Sequence, residues 1–134
     1  MSIEAAVAVL RVTDVSRSME WYATLLGFDI DPFPAAPPYE FCILRRSGVE
    51  LMLRRVSTLS PRITRAHDWD VYIRLTDETL PEVLEFAKRL TTVVRGPHLM
   101  PYGQVEFEVE DPDGYRICIA EALSDTRAYP PVTE

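Results

Sequence analysis

The chain says nearly the same thing twice. "LRVTD" at residues 10–14 returns as "IRLTD" at 73–77, an offset of 63 positions in a chain of 134. Around the first copy, "AAVAVLRV" (5–12) is apolar and valine-rich, as a buried strand requires. Thr13-Asp14 then offers a helix start, and "VSRSMEWYATLLG" carries Val15, Met19, Trp21, Tyr22 and Leu25 at helical spacing, closed by Gly27. "FDIDPF" is a short strand broken by the proline-rich "PFPAAPP" loop. "YEFCILRR" and "GVELMLRR" follow, joined by the tight-turn signal Ser47-Gly48. After a linker at 56–69 the order begins again. "DVYIRLTD" is a strand, Thr76-Asp77 an expected cap, and "ETLPEVLEFAKRL" a helix with Pro81 in its first turn. "TTVVRGP" reads as a short strand and loop, and a strand pair surrounds the turn Asp-Pro-Asp-Gly at 111–114.

Two βαβββ units are too few for a stacked array, which needs about three repeats. They predict an α+β fold: two repeats forming one curved mixed sheet, with helices on its outer face and a concave cleft on the other. Repeat one spans about 5–55, repeat two about 70–122, and 123–134 forms a C-terminal arm. A chain of this length is expected to be a single domain over 1–134.

Composition narrows the partners. The net charge of −7 argues against nucleic acid, because phosphate binding needs a basic surface. The cations are unevenly chosen: of 14 basic residues only Lys88 is lysine, leaving 13 arginines, six of them between Arg45 and Arg65. Cys42 and Cys118 are too few for a disulfide framework and read as reduced, packed thiols. The N-terminus has an early acid and no basic segment, and no apolar run approaches the ~18 residues of a membrane span. A cytoplasmic location is the expectation, with no membrane partner.

"VLRVTDVSRSMEWYATLLGF" and "YGQVEFEVEDPDGYRICIAE" resemble the glyoxalase/bleomycin-resistance/extradiol-dioxygenase superfamily, the vicinal-oxygen-chelate fold. The resemblance covers roughly residues 5–122, and "AVAVLRVTDV" with "PYG" before a glutamate-bearing strand is most similar to the bleomycin-resistance group. It implies a single vicinal-oxygen-chelate domain, a homodimer as partner state, and, in the family's enzymes, one divalent metal held by four side chains. The matching positions here are Val7, Glu50, Asp70 and Cys118. Valine has no donor atom, and a soft thiolate beside two hard carboxylates suits no single first-row ion. No histidine stands at the four positions; His67 is in the linker and His98 is expected in a solvent-facing loop. No cofactor is therefore expected, and any residual metal would have only Glu50 and Asp70.

Alternation along strands extends the face that carries those positions. Val7 brings Val9 and Arg11; Glu50 brings Met52 and Arg54; Asp70 brings Tyr72 and Arg74; Cys118 brings Arg116 and Ala120. The opposite set is Ala8, Leu10, Val12, Val49, Leu51, Leu53, Val71, Ile73, Leu75, Ile117 and Ile119. All are apolar, as a helix-covered face demands. Aromatic candidates for stacking on a ligand are Phe33, Tyr39, Phe41, Trp69, Tyr72 and Tyr102, with Trp69 foremost. Charges of both signs in a cleft must pair internally or meet a ligand. The expected site is Glu50, Asp70, Arg11, Arg54, Arg74, Arg116, Met52, Tyr72, Trp69, Cys118 and Tyr102. Arginines would take carboxylates or carbonyls and the two acids would take amines. The function that the resemblance implies, taken with these residues, is binding or sequestration of a polar aromatic small molecule such as an antibiotic, without metal. The alternative is a metal-dependent lyase, isomerase or dioxygenase built on Glu50 and Asp70.

Overall fold

The structure, a computed structural model, describes residues 1–61 and 68–133. The chain divides into two compact units, Met1–Arg62 and Ile63–Glu134, each built on one copy of the repeat. Both carry a four-stranded mixed sheet and one helix, the α+β architecture that the two copies predict.

In the first unit the order is β1 (Ala8–Val12), α1 (Val15–Leu26), β2 (Asp29–Phe33), β3 (Phe41–Arg46) and β4 (Val49–Arg55). The sheet runs β1-β4-β3-β2, with β1 parallel to β4 and the other pairs antiparallel. Helix α1 starts as the sequence indicates: the Asp14 side chain accepts from the Arg17 N–H at 3.1 Å. It ends at Gly27, whose φ of 71° lets its N–H reach the Ala23 carbonyl. Its buried stripe (Val15, Met19, Tyr22, Leu25) lies against the sheet, where Leu10, Val12, Leu44, Leu51 and Leu53 are buried. Each such side chain contributes roughly 1.5–3 kcal/mol of transfer free energy. The predicted apolar face is therefore the helix-covered one, though Ala8 and Val49, at strand ends, are exposed. Ser47 and Gly48 both have positive φ, the geometry of a two-residue hairpin turn.

The second unit contains β5 (Val71–Arg74), α2 (Leu80–Leu90), β6 (Val93–Leu99), β7 (Val105–Glu110) and β8 (Arg116–Glu121), in sheet order β5-β8-β7-β6. Leu80, Leu84 and Ala87 form the buried stripe of α2, and Val71, Ile117 and Ile119 are buried in its sheet. Two local expectations are corrected here. Thr76-Asp77 does not cap α2: Asp77 and Glu78 form a left-handed turn, and the N-cap, Thr79, makes no side-chain cap bond. The acceptor comes from 41 residues downstream, where the buried Glu121 carboxylate receives the N–H groups of Glu78 and Leu80. Nor does the chain loosen after Gly96, because β6 continues through His98 to Leu99.

That continuation depends on a bulge. The β6–β7 register slips between Val93 and Arg95 and again between Arg95 and His98. Gly96 lies inside the second slip with φ +82°, and a Cβ there would stand 2.5 Å from the Glu106 carbonyl oxygen. Beyond the sheet, the C-terminal arm lies along β6: the Leu99 N–H donates to the Pro130 carbonyl and Val132 N–H to the Leu99 carbonyl. No described helix is long and apolar enough to cross a membrane.

Candidate functional site

The expected site residues fall into two groups, one per unit. In the first unit, pairing of Val9 with Met52 and of Arg11 with Arg54 sets these side chains on the face opposite α1, with Glu50 opposite Arg45 on β3. This face is half open. Val9 and Phe33 are 50% and 45% exposed, and Phe33 lies 6.4 Å from Phe41 between ring centroids. Glu50 has a partner within its own sheet. Arg45 donates to it at 3.0 Å and to Asp31 at 3.1 Å, so one guanidinium bridges two carboxylates. An open cleft of about 240 Å³ lies here, lined by Asp29, Arg45, Arg46 and Glu50 among others.

The second unit is organised differently. Asp70, just before β5, accepts the backbone N–H of Arg116 at 2.8 Å, while its own N–H donates to the Arg116 carbonyl. It thus fastens the start of β5 to β8. Pairing of Tyr72 with Cys118 and of Arg74 with Ala120 confirms that these four share one face, with Arg116. Trp69 packs on Tyr72 at 5.0 Å between centroids, and the Arg74 guanidinium lies 5.4 Å from the Tyr72 centroid on the same ring.

The same face carries residues that the sequence reading passed over. Strand β7 alternates Val105, Phe107 and Val109 with Glu106, Glu108 and Glu110. Register sets Glu106 opposite Ala120 and Glu108 opposite Cys118, inside the group just described. Glu106 and Glu108 are 4% and 2% exposed. Glu108 sits between two guanidinium groups, Arg95 at 3.5 Å and Arg116 at 3.4 Å, and Arg116 also reaches Glu110 at 3.2 Å. Glu106 is held by phenols instead: Tyr72 from β5 and Tyr102 from the "PYG" loop both donate to its Oε2. The signal for β7 was its period-2 alternation, which would equally describe a strand with one wet face. His98, expected in a loop, is half-buried on β6 opposite Glu106. His67 lies outside the described residues.

The charges leave their mark on the neighbours. Burial foremost, then the hydrogen bond to Glu106 and its charge, hold the Tyr72 and Tyr102 hydroxyls protonated far above the ordinary phenol range. Burial, followed by the charges of Glu106 and Glu108, does the same to the Cys118 thiol. This favours a hydrogen-bonding, proton-retaining surface over a nucleophilic one.

The four positions matching the superfamily's metal ligands do not fit an ion. Val7 has no donor, Glu50 is paired with Arg45, and Asp70 is engaged by a backbone N–H. Cys118 is driven away from the thiolate that a metal would need. Among the described residues no group of three or more His, Cys, Asp or Glu is placed to hold an ion.

Solved structures resemble this fold over most of their length. TioX from Micromonospora sp. ML1 is 20% identical with a TM-score of 0.71, covering 87% of this chain and 97% of that one. A glyoxalase/dioxygenase from Nostoc punctiforme is 18% identical with a TM-score of 0.69, covering 86% and 88%. Lactoylglutathione lyase from Agrobacterium tumefaciens is 16% identical with a TM-score of 0.65, covering 87% and 92%. At these identities the likeness is one of fold. No curated protein matches the chain. A family model does match, across residues 5–119, and on that ground the chain belongs to the Glyoxalase/Bleomycin resistance protein/Dioxygenase superfamily.

Proposed function

We propose that this protein binds a polar aromatic small molecule without a catalytic metal, and that it sequesters the compound rather than transforming it. The observation that carries this reading is the state of the four ligand positions: one has no donor atom, two carboxylates are already engaged, and the fourth is a buried, protonated thiol. What the second unit offers instead is the packed ring pair Trp69 and Tyr72, with Tyr72 and Tyr102 both hydrogen-bonded to the Glu106 carboxylate, the mix of apolar and oriented polar groups that suits a small ligand. An antibiotic is the kind of compound in view. The chain acts as a single domain over 1–134 and works as a cytoplasmic homodimer in which a second copy covers exposed apolar side chains such as Val9 and Phe33.

The test is elemental analysis of metal-stripped protein re-equilibrated with manganese, iron, cobalt, nickel and zinc, run beside a thermal-shift screen of aromatic compounds. No retained metal together with a compound that raises the melting temperature is the expected result. One tightly held ion per chain, lost in Glu50→Ala, would overturn the metal-free reading in favour of a lyase or dioxygenase.

A further inference from the structure

The sequence assigned amine recognition to Glu50 and Asp70, and the structure gives both of those carboxylates other partners. One carboxylate on the ligand-facing surface of the second unit differs from all its neighbours. Glu108 and Glu110 pair with arginines, and Glu121 caps α2. Glu106 is 96% buried and has no cationic partner among the described residues. Its hydrogen bonds come from two neutral phenols, and both reach Oε2. Oε1 receives no nitrogen or hydroxyl donor among the described residues. The Cys118 thiol beside the carboxylate is a weak donor. Two candidate cations share this face: His98 stands opposite Glu106 in the β6–β7 register, and the Arg74 guanidinium rests on the Tyr72 ring; among the described residues neither makes an ion pair with Glu106.

A buried carboxylate without a cation is costly, and two phenols offset only part of that cost. The missing element is a positive charge, and the surroundings are fitted to one that arrives attached to a ring. Trp69 and Tyr72 make a tilted aromatic pair beside the carboxylate. Tyr102, 56% exposed and hydrogen-bonded to Glu106 through its hydroxyl, lies on the loop between β6 and β7 at the edge of this group. Electron-rich ring faces attract an ammonium group in addition to the carboxylate.

We infer that Glu106 is the counter-charge for a protonated amine on the bound compound, with Trp69, Tyr72 and Tyr102 receiving the aromatic ring that carries it. This rests on the reading of the chain as a small-molecule-binding protein and names the chemical class that the site selects. Arg95 and Arg116 do not oppose such a cation, because they pair with Glu108 and Glu110.

Three probes of one shape separate the possibilities: 2-phenylethylamine, 2-phenylethanol and 3-phenylpropionate, titrated by calorimetry into the full-length protein at neutral pH. The amine should bind at least tenfold more tightly than the alcohol, and the acid should be weakest. In Glu106→Gln that preference should vanish while the alcohol binds as before. Tyr102→Phe, on an exposed loop, keeps the charge and should retain the order of the three probes with weaker affinity. Equal binding of amine and alcohol, tighter binding of the acid, or an amine preference that survives Glu106→Gln would each overturn the assignment. If none of the three binds while a neutral or acidic aromatic from the thermal-shift screen does, Glu106 is not an amine site and the small-molecule reading stands. If nothing in the screen binds, both fall.

Discussion

The two repeats share an order of elements and a sheet topology, and differ in where they put their charges. In the first, charge on the face opposite the helix stays near water: Arg45 bridges Asp31 and Glu50, and all three side chains are between 30% and 52% exposed. In the second, the equivalent face draws its charges inside, with Glu106 and Glu108 almost fully buried between phenols and guanidinium groups. The same contrast holds at the helix starts. Helix α1 is capped by its own Asp14 three residues before the bond, whereas α2 depends on Glu121 from the last strand. One copy of the motif is stabilised locally and the other by contacts distant in sequence. Duplication thus fixes the scaffold and leaves the two faces free to specialise.

The sharpest way to break this comparison is to remove one carboxylate from each network. Glu108→Ala removes the buried partner of Arg95 and leaves Arg116 only Glu110, and should cost about 3–5 kcal/mol, read as a drop in the urea midpoint. Glu50→Ala should barely move that midpoint, because its partner Arg45 is solvated. Equal losses would mean that the two faces are energetically alike. A second contrast uses glycines of similar φ. Gly96→Ala meets the Glu106 carbonyl at 2.5 Å and should destabilise by about 2–5 kcal/mol. Gly48→Ala, with open space around it, should cost only the left-handed strain of about 1–2 kcal/mol. Next come the caps. Glu121→Ala leaves the N–H groups of Glu78, in the turn before α2, and Leu80, at its first residue, without acceptors, for about 1–3 kcal/mol. Asp14→Ala should cost about 1 kcal/mol. Thermal melts of the pair would expose any reversal.

The smallest effect is with pH. Cys118, Tyr72 and Tyr102, with Cys42 in the first unit, are all held protonated above their ordinary values of 9.0 for the thiols and 10.0 for the phenols. A raised folded value means that the folded chain keeps protons the unfolded chain has lost. Their contribution is therefore complete below about pH 9 and declines as pH rises above it. Three of the four groups belong to the second unit, so Cys118→Ala should flatten the alkaline decline more than Cys42→Ala does. A melting temperature constant across that range would show that these groups titrate freely.

The parts of the molecule legible in the sequence were those governed by near neighbours. Alternation placed Arg11, Met52, Arg54, Tyr72, Arg74, Arg116 and Cys118 on the faces where their registers set them. Asp14 and Gly27 ended α1 where their chemistry says a helix should end. Local pattern failed where a distant strand decides. Glu106 and Glu108 have the spacing of a solvated edge, and only β6 on one side and β8 on the other, bearing Arg95 and Arg116, make them buried. His98 took its place opposite Glu106 through a register slip that no periodicity announces. Thr76-Asp77 copied the form of Thr13-Asp14 without its function, because a better acceptor arrived from Glu121.

The arm along β6 has a consequence for how copies of this chain behave in a crowded solution. A sheet's last strand offers unsatisfied amides and carbonyls to any extended peptide, including the same strand of another molecule. In the second unit the outer side of β6 is partly occupied by the chain's own tail, which takes up the Leu99 N–H and carbonyl. Proline at 130 and 131 then denies further amide donors to a would-be successor. The tail is in this sense a built-in stopper against strand addition, and removing it should leave the fold intact while making the protein prone to associate edge to edge.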